Sequence, residues 1–267
     1  MPVYGRGAVP SPPDQRDFPF DAGHYGAPVA ADLPAAVDLR CGGQAPTPRR
    51  PLGPVRDQGA AASCVGHAAT GLREALRTAA GAPFVRYSPL FTWERARCVE
   101  GSDGSNTGCT PRDALESLRH DGALREELWP YDAGAFNVAP SAAMFSAARP
   151  FSIAGYHRCA GDVTVRQALA APAPVLAVIR AGPAFEQTPA SGIVTRAALE
   201  EACDWNHAIL IAGYTPDWWL CQNSWGRGFG AAGYFYVPSA AFDTFFLEPW
   251  TASLRTAVSP ITGGSSI

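Results

Sequence analysis

The chain has 267 residues, a formal net charge of −3 at pH 7 and 47% hydrophobic residues. It is therefore long enough for one large domain or two small ones around a sizeable core. The slightly negative charge argues against a nucleic-acid partner or a membrane surface, and no apolar run approaches the roughly 20 residues that span a bilayer. The first residues lack the apolar core of a signal peptide, so the sequence leaves the localisation open.

The chain contains seven cysteines, which is an odd number and more than a typical cytosolic enzyme carries. This count favours an oxidising compartment, such as the cell exterior, a lysosome-like organelle or a virion. If one cysteine is a nucleophile, the other six allow about fifteen pairings. The sequence does not choose among them.

Residues 1–32 are rich in Pro, Gly and Asp and show no hydrophobic periodicity. We expect an extended N-terminal segment there rather than a folded domain. Two interpretations are open for it: a strap packed on the surface, or a short pro-segment that lies in or near a cleft. At the other end, residues 259–267 are predicted to form a flexible tail.

The first half of the remaining chain is predicted to be helical. Ala-rich sequence with few breakers favours one helix, and a serine or threonine followed by proline supplies the N-cap and first residue of two more. The predicted helices run from Cys64 to near Gly81, from Pro89 to about Arg97 and from Pro111 to Gly122.

After Pro150 the pattern changes to short runs of Val, Ile and aromatic residues, which are typical of strands. A helical half followed by a β half predicts an α+β protein with two lobes and a cleft between them. The predicted strands are Val175 to Ile179, Ile209 to Tyr214, Trp218 to Gln222 and Tyr234 to Val237.

Cys64 lies at the predicted start of the first helix, where free N–H groups and the helix dipole favour a thiolate. Cys64 is therefore a candidate nucleophile, and a nucleophile needs a base and a group that orients the base. His207 opens one strand-like run and Asn223 follows the next, so these two residues can supply both groups. Gln58, six residues before Cys64, can reach the same centre from a folded loop.

His67 is an alternative base, because it follows Cys64 by three residues on roughly the same helix face. The competing interpretation of His67 is a histidine packed inside the helical lobe. The sequence alone keeps both interpretations open.

The chain resembles the papain-like (C1) cysteine peptidases, which include the cathepsins, and most of all their short bacterial and archaeal type. His207 follows Cys64 by 143 residues (207 − 64), within the roughly 130–150 residues expected of papain-like sequences. The matching motifs are Leu33-Pro34 with Val37-Asp38-Leu39-Arg40, Val55-Arg56-Asp57-Gln58-Gly59 with Ser63-Cys64, Tyr87-Ser88-Pro89, Trp129-Pro130-Tyr131-Asp132, Asn206-His207-Ala208 with Gly213-Tyr214, and Asn223-Ser224-Trp225-Gly226 with Gly233-Tyr234-Phe235.

The resemblance implies a papain-like two-lobe fold over residues 33–258. The helical lobe would span about 33–150, and a β-barrel-like lobe would span 151–258, with the active-site cleft between them. It also implies a cysteine endopeptidase that hydrolyses peptide bonds through a thioester on Cys64, without a metal or an organic cofactor.

The resemblance assigns His207 as the base and Asn223 as the residue that orients the His207 ring. It assigns Gln58 as a hydrogen-bond donor to the oxyanion. Trp225 would shield the hydrogen bond between His207 and Asn223 from water. The residues implied to line the substrate groove are Gly108, Cys109, Thr110, Trp205, Asn206 and Ala208.

Cys109 departs from the family pattern, because the family keeps a glycine at this position beside the nucleophile. We expect Cys109 to pair with Cys98, which would staple the intervening loop, or with Cys64, which would block the nucleophile reversibly. A free Cys109, or another partner such as Cys41 or Cys221, is also open.

The expected partner is a peptide or protein substrate of a monomeric enzyme, with no nucleic acid, membrane or metal involved. Two other functions are open. One is a non-catalytic homologue that binds peptides or a partner protein. The other is an acyltransferase or peptide ligase that uses the same thioester with an amine in place of water.

Overall fold

A computed structural model describes residues 4–15, 17–203 and 205–254; the tail predicted at 259–267 lies outside them. The helices of the described part are α1 (Cys64–Ala79), α2 (Pro89–Glu100), α3 (Pro111–His120), α4 (Ala142–Ala148), α5 (Asp162–Ala170), α6 (Pro183–Glu186), α7 (Arg196–Glu200) and α8 (Phe242–Phe245). The strands are β1 (Val37–Asp38), β2 (Gly155–Arg158), β3 (Val175–Arg180), β4 (Asn206–Tyr214), β5 (Trp218–Gln222), β6 (Tyr234–Pro238) and β7 (Trp250–Ser253).

The helical lobe is built on α1, which packs against α2, α3 and strand β4. Its small residues permit close packing: a Cβ atom on Gly66 would lie 2.7 Å from the Cβ of Trp93 on α2. The predicted caps are present, because the Ser88 side chain accepts the N–H of Phe91 and the Thr110 side chain accepts the N–H of Asp113. These caps set where α2 and α3 begin.

The strands form an antiparallel sheet in the order β2-β7-β3-β4-β5-β6, and β1 pairs with β4. The α+β prediction with two lobes is confirmed. The division by sequence is not strict, because Val37 and Asp38 come from the first half of the chain and pair with Tyr214 and Gly213 in the sheet. Strand β4 is buried along nearly its whole length between β3, β5 and α1, so the side chains that it carries are held rigidly.

The N-terminal segment lies between the two lobes. Ala8 bridges to Cys109 of the helical lobe and to Asn206 at the start of β4. Further along, the Arg112 side chain on α3 binds Asp17 through two hydrogen bonds of 2.7 Å. The described part of residues 1–32 therefore contacts both lobes and runs along α3, and its assignment as a strap or a pro-segment stays a prediction.

All seven cysteines are free. The pairings expected for Cys109 with Cys98 or Cys64 are absent, which corrects that prediction for this structure. The Cys98 thiol donates to Glu94 instead, and Cys109 is completely buried under the N-terminal segment. Within the described ranges, no helix is long and apolar enough to cross a membrane.

Candidate active site

Cys64 is the first residue of α1, and its side chain is fully buried. Burial raises the pKa of the Cys64 thiol to about 11, although hydrogen bonds from the backbone N–H groups of Ala208 on β4, Gly7 and Val65 act to lower it. Cys64 is therefore a protonated thiol at neutral pH in this closed arrangement.

His207 lies on β4 beside Ala208, and its Nε2 is 2.7 Å from Oδ1 of Asn223. The same Oδ1 accepts the backbone N–H of Ser224 at 2.8 Å, which identifies it as the oxygen of the amide. Nε2 therefore carries a hydrogen, and the neutral ring has a bare Nδ1. That Nδ1 is buried without a hydrogen-bond partner among the described residues, so it makes no hydrogen bond to Cys64 in this closed arrangement.

The surroundings of His207 keep its ring neutral. Burial lowers the pKa of His207 to about 4, against the opposing effect of the Asn223 hydrogen bond. The ring of Trp225 covers the imidazole, with the two ring centroids 4.4 Å apart. A neutral thiol and a neutral imidazole are therefore favoured here, because both groups are fully buried.

Gln58 is buried, and both ends of its side-chain amide are bound. Its Nε2 donates to the carbonyl of Ala61 at 2.8 Å and to the carbonyl of Gly5 at 3.0 Å. Its Oε1 accepts from Ser224 Oγ at 2.6 Å, which fixes the orientation of the amide. The donor that faces Gly5 is thus held ready for a carbonyl oxygen that enters the cleft.

Two glycines of the N-terminal segment pass very close to the loop that precedes α1. A Cβ atom on Gly5 would lie 1.7 Å from Ala61 O, and one on Gly7 would lie 2.0 Å from Ala62 O. Only glycine permits this approach. Gly7 presents its N–H to the Cys64 sulfur, whereas the carbonyl on the oxyanion donor belongs to Gly5.

The segment also covers aromatic faces on both sides of this centre. Tyr4 stacks on Trp225 with ring centroids 4.4 Å apart and an angle of 8° between the rings. The Arg6 guanidinium lies 3.2 Å from the ring centroid of Trp205, and it pairs with Glu186 at 3.0 Å. A substrate could use these faces only after the segment moves.

Most of the predicted groove residues contact the segment. Cys109 donates its N–H to Gly7 O at 2.9 Å and accepts from Val9 N at 3.1 Å. A side chain on Gly108 would meet the same Gly7 carbonyl at 2.0 Å. The predicted groove residues in contact with the segment are Gly108, Cys109, Trp205 and Asn206.

Thr110 and Ala208 make other contacts in this structure, and their assignment to the groove stays a prediction. Thr110 caps α3 through Asp113, and its own N–H donates to Glu100 at 2.6 Å. Ala208 is 1% exposed and contacts Cys64 through its backbone.

Sequence reasoning did not single out Ser224 or Tyr131, although both lie inside the quoted motifs. Ser224 orients the amide of Gln58, and the Tyr131 hydroxyl donates to the backbone carbonyl of Gln58 at 2.8 Å. The only signal for these two residues in the sequence is their position beside the named residues of those motifs.

One group of possible metal ligands occurs in the described ranges: Glu94, Cys98 and Asp103. It lies on α2 and the following loop. The carboxylate of Glu94 is already bound by Arg97 and by the Cys98 thiol.

Comparison with known proteins places the chain in a family. Residues 33–243 match the sequence model described as "Papain family cysteine protease", so the chain belongs to the papain family. A probable cysteine protease of Arabidopsis thaliana is 28% identical over 217 residues, which are 78% of this chain and 44% of that protein. The viral cathepsin of Adoxophyes honmai nucleopolyhedrovirus is 29% identical over 226 residues, 80% of this chain and 60% of that protein. The chain spans about half the length of the curated relatives that it matches.

Solved structures share the fold. Xylellain, a cysteine protease from Xylella fastidiosa, superposes with a TM-score of 0.83 at 23% identity, covering 96% of this chain and 98% of that one. A digestive procathepsin L2 of Tenebrio molitor larval midgut superposes with a TM-score of 0.74 at 22% identity, covering 94% and 78%. At these identities the likeness shows the fold, and the chemistry of this chain has to be argued from its own residues.

Proposed function

We propose that this chain is a cysteine endopeptidase that hydrolyses peptide bonds of peptide or protein substrates through a thioester on Cys64. The observation that carries the proposal is the tautomer of His207, which Asn223 fixes so that the bare Nδ1 is left for the thiol. A non-catalytic peptide-binding homologue would not need this arrangement.

The reaction follows from these groups. His207 Nδ1 takes the proton of Cys64, and the sulfur attacks the carbonyl carbon of the substrate. The oxygen that becomes negative is stabilised by Gln58 Nε2 and the Cys64 backbone N–H. The imidazolium then protonates the leaving amine, and water, deprotonated by the same ring, releases the acyl group from the sulfur as a carboxylic acid.

Single substitutions at the two reacting residues test the proposal. Cys64→Ala and His207→Ala should each abolish release of a fluorogenic peptide while the far-UV CD spectrum and melting temperature stay close to those of the parent. Labelling with an epoxysuccinyl inhibitor, followed by peptide mapping, should modify Cys64 alone. The assay is run in the Gly7→Ala chain, in which we expect the N-terminal segment to be displaced. Peptide turnover that persists there in Cys64→Ala would contradict the proposal.

We further propose that the N-terminal segment restrains access to the cleft. It occupies the donor of Gln58 and contacts the sulfur of Cys64. Such a segment behaves as a bound, unreactive competitor of substrate.

The full-length Gly7→Ala variant tests this restraint, because its new Cβ atom would clash with a backbone carbonyl 2.0 Å away and displace the segment. Alkylation of Cys64 by iodoacetamide and peptide turnover should both rise at least about tenfold, corresponding to about 1.4 kcal/mol. The matched control is Gly23→Ala, which lies in the same segment and meets only the Asp21 side chain at 3.3 Å. Equal rates in the two variants would leave the segment as a passive strap.

A further inference from the structure

A small cavity lined by both apolar and polar residues lies between α1 and the strands β4 and β5, beside His67 and Asn223. About 20 Å³ of it is open to the centre of a water molecule, and roughly 10–15 Å³ is enough for one water. The polar side chains that line it are Arg56, His67, Glu74, Gln222, Asn223 and Ser224.

His67 offers this cavity a hydrogen-bond acceptor. Its Nδ1 is 3.1 Å from the backbone carbonyl of Ser63, and a carbonyl can only accept, so Nδ1 carries the hydrogen. The ring is neutral, because burial, the charge of Arg56 and the proximity of His207 lower the pKa of His67 to about 3. Nε2 is therefore a bare acceptor. Because Nδ1 is occupied in this way, it is not the nitrogen that could take the proton of Cys64.

Asn223 offers the cavity a donor. Its Oδ1 is committed to His207 and to the N–H of Ser224, which fixes Nδ2 on the other side of the amide. Asn223 is 3% exposed, and its Nδ2 has no hydrogen-bond partner among the described residues. A buried donor without a partner is destabilising, so a partner is strongly favoured.

The other polar groups of the wall are already engaged. Arg56 binds Glu74 at 2.6 Å and Glu126 at 2.7 Å. Gln222 donates to the backbone carbonyl of Gly53 at 2.9 Å. The carboxylate of Glu74 supplies a second acceptor on the same wall.

We propose that His67 is a positioning residue for the catalytic asparagine: one ordered water accepts from Asn223 Nδ2 and donates to His67 Nε2 and to Glu74. The water holds the amide of Asn223 so that its oxygen stays on His207 Nε2. This inference rests on the proposed roles of His207 and Asn223, and it assigns a task to a histidine that the reaction itself does not use.

Kinetics separate positioning from packing. In the Gly7→Ala chain, His67→Phe keeps an aromatic ring but removes the acceptor, so kcat should fall about tenfold with KM nearly unchanged. His67→Gln keeps a polar atom near the position of Nε2 and should restore most of kcat. The control His120→Phe changes an exposed histidine and should match the parent. Equal kcat in the parent and His67→Phe, or equal losses in His67→Phe and His67→Gln, would overturn the inference.

A spectroscopic measurement on the unaltered full-length chain needs no activity. The ¹⁵N NMR shifts of the imidazoles should show His67 as the Nδ1–H tautomer, and the Asn223 side-chain amide should show a cross-peak to a long-lived water. In His67→Phe that cross-peak should disappear and the ¹⁵N resonances of His207 should move. A missing water cross-peak together with unmoved His207 resonances contradicts the inference, whereas activity that survives His207→Ala contradicts only the proposed function.

Discussion

At the scale of single residues, burial decides the protonation state of the reactive groups. It raises the pKa of Cys64 to about 11 and lowers that of His207 to about 4, so each group is held in its neutral form. Removing the segment readmits water and weakens both effects. Proton transfer from Cys64 to His207 is then favoured more strongly than in the closed site.

In the proposed reaction Gln58 and Asn223 form no covalent bond to the substrate, so their loss should be milder than the loss of Cys64. In the opened Gly7→Ala chain, Gln58→Ala and Asn223→Ala should each lower kcat by about 10²–10³, the range measured when one oxyanion donor is removed. Gln44→Ala, at an exposed glutamine, serves as the control in the same peptide assay. A loss below threefold at Gln58 would remove it from the oxyanion site.

At the scale of elements, α3 anchors the N-terminal segment. Arg112 binds both carboxylate oxygens of Asp17 at 2.7 Å, and its backbone N–H donates to Ser11 Oγ at 3.3 Å. Both charged side chains of the pair are less than a tenth exposed. Breaking a buried ion pair from one side costs about 3–5 kcal/mol, because the remaining charge stays buried.

Asp17→Asn should therefore favour release of the segment, since Arg112 regains water only when the segment leaves α3. We expect iodoacetamide to alkylate Cys64 at least about tenfold faster than in the parent. Asp21→Asn makes the same charge change at an exposed position of the same segment and should leave the rate unchanged. Similar rates in both variants would mean that the ion pair does not hold the segment.

At the scale of the whole molecule, the same segment continues onto the edge of the sheet and makes stability depend on pH. The Tyr25 hydroxyl is 2.6 Å from Nδ1 of His157 on β2. Burial and the nearby His24 lower the pKa of His157, and Asp21 opposes this shift. The unfolded chain therefore binds a proton at this position more readily than the folded chain.

This difference in proton binding fixes the direction in which stability changes with pH. Stability contributed by neutral His157 is present above the ordinary histidine pKa of about 6.5 and is lost as the pH falls below that value. His157→Asn, which keeps a polar partner for Tyr25, should flatten the fall in the free energy of unfolding between about pH 7 and 5. Urea denaturation across this range measures the slope, with the exposed His120→Asn as control; an unchanged slope in His157→Asn would contradict the assignment.

Local sequence patterns were enough to predict much of this protein. Capping residues and prolines placed the starts of α2 and α3 correctly, and the Val- and aromatic-rich runs predicted the cores of β3, β4, β5 and β6, because caps and hydrophobic periodicity are short-range effects. Family motifs in the right order picked out Cys64, His207, Asn223 and Gln58, and the fold and family membership predicted from them are confirmed. The assigned roles of these four residues stay predictions.

Contacts between residues distant in sequence were decided only by the tertiary structure. Gly5 and Gly7 have no sequence signal of their own, yet they lie against residues more than fifty positions away. Three further features depend on which groups the fold brings together and shields from water. They are the free thiol of Cys109, the burial of Ala208 and the tautomer of His67. Burial and hydrogen-bond partners are properties of the packed chain, so a pattern along the sequence does not reveal them.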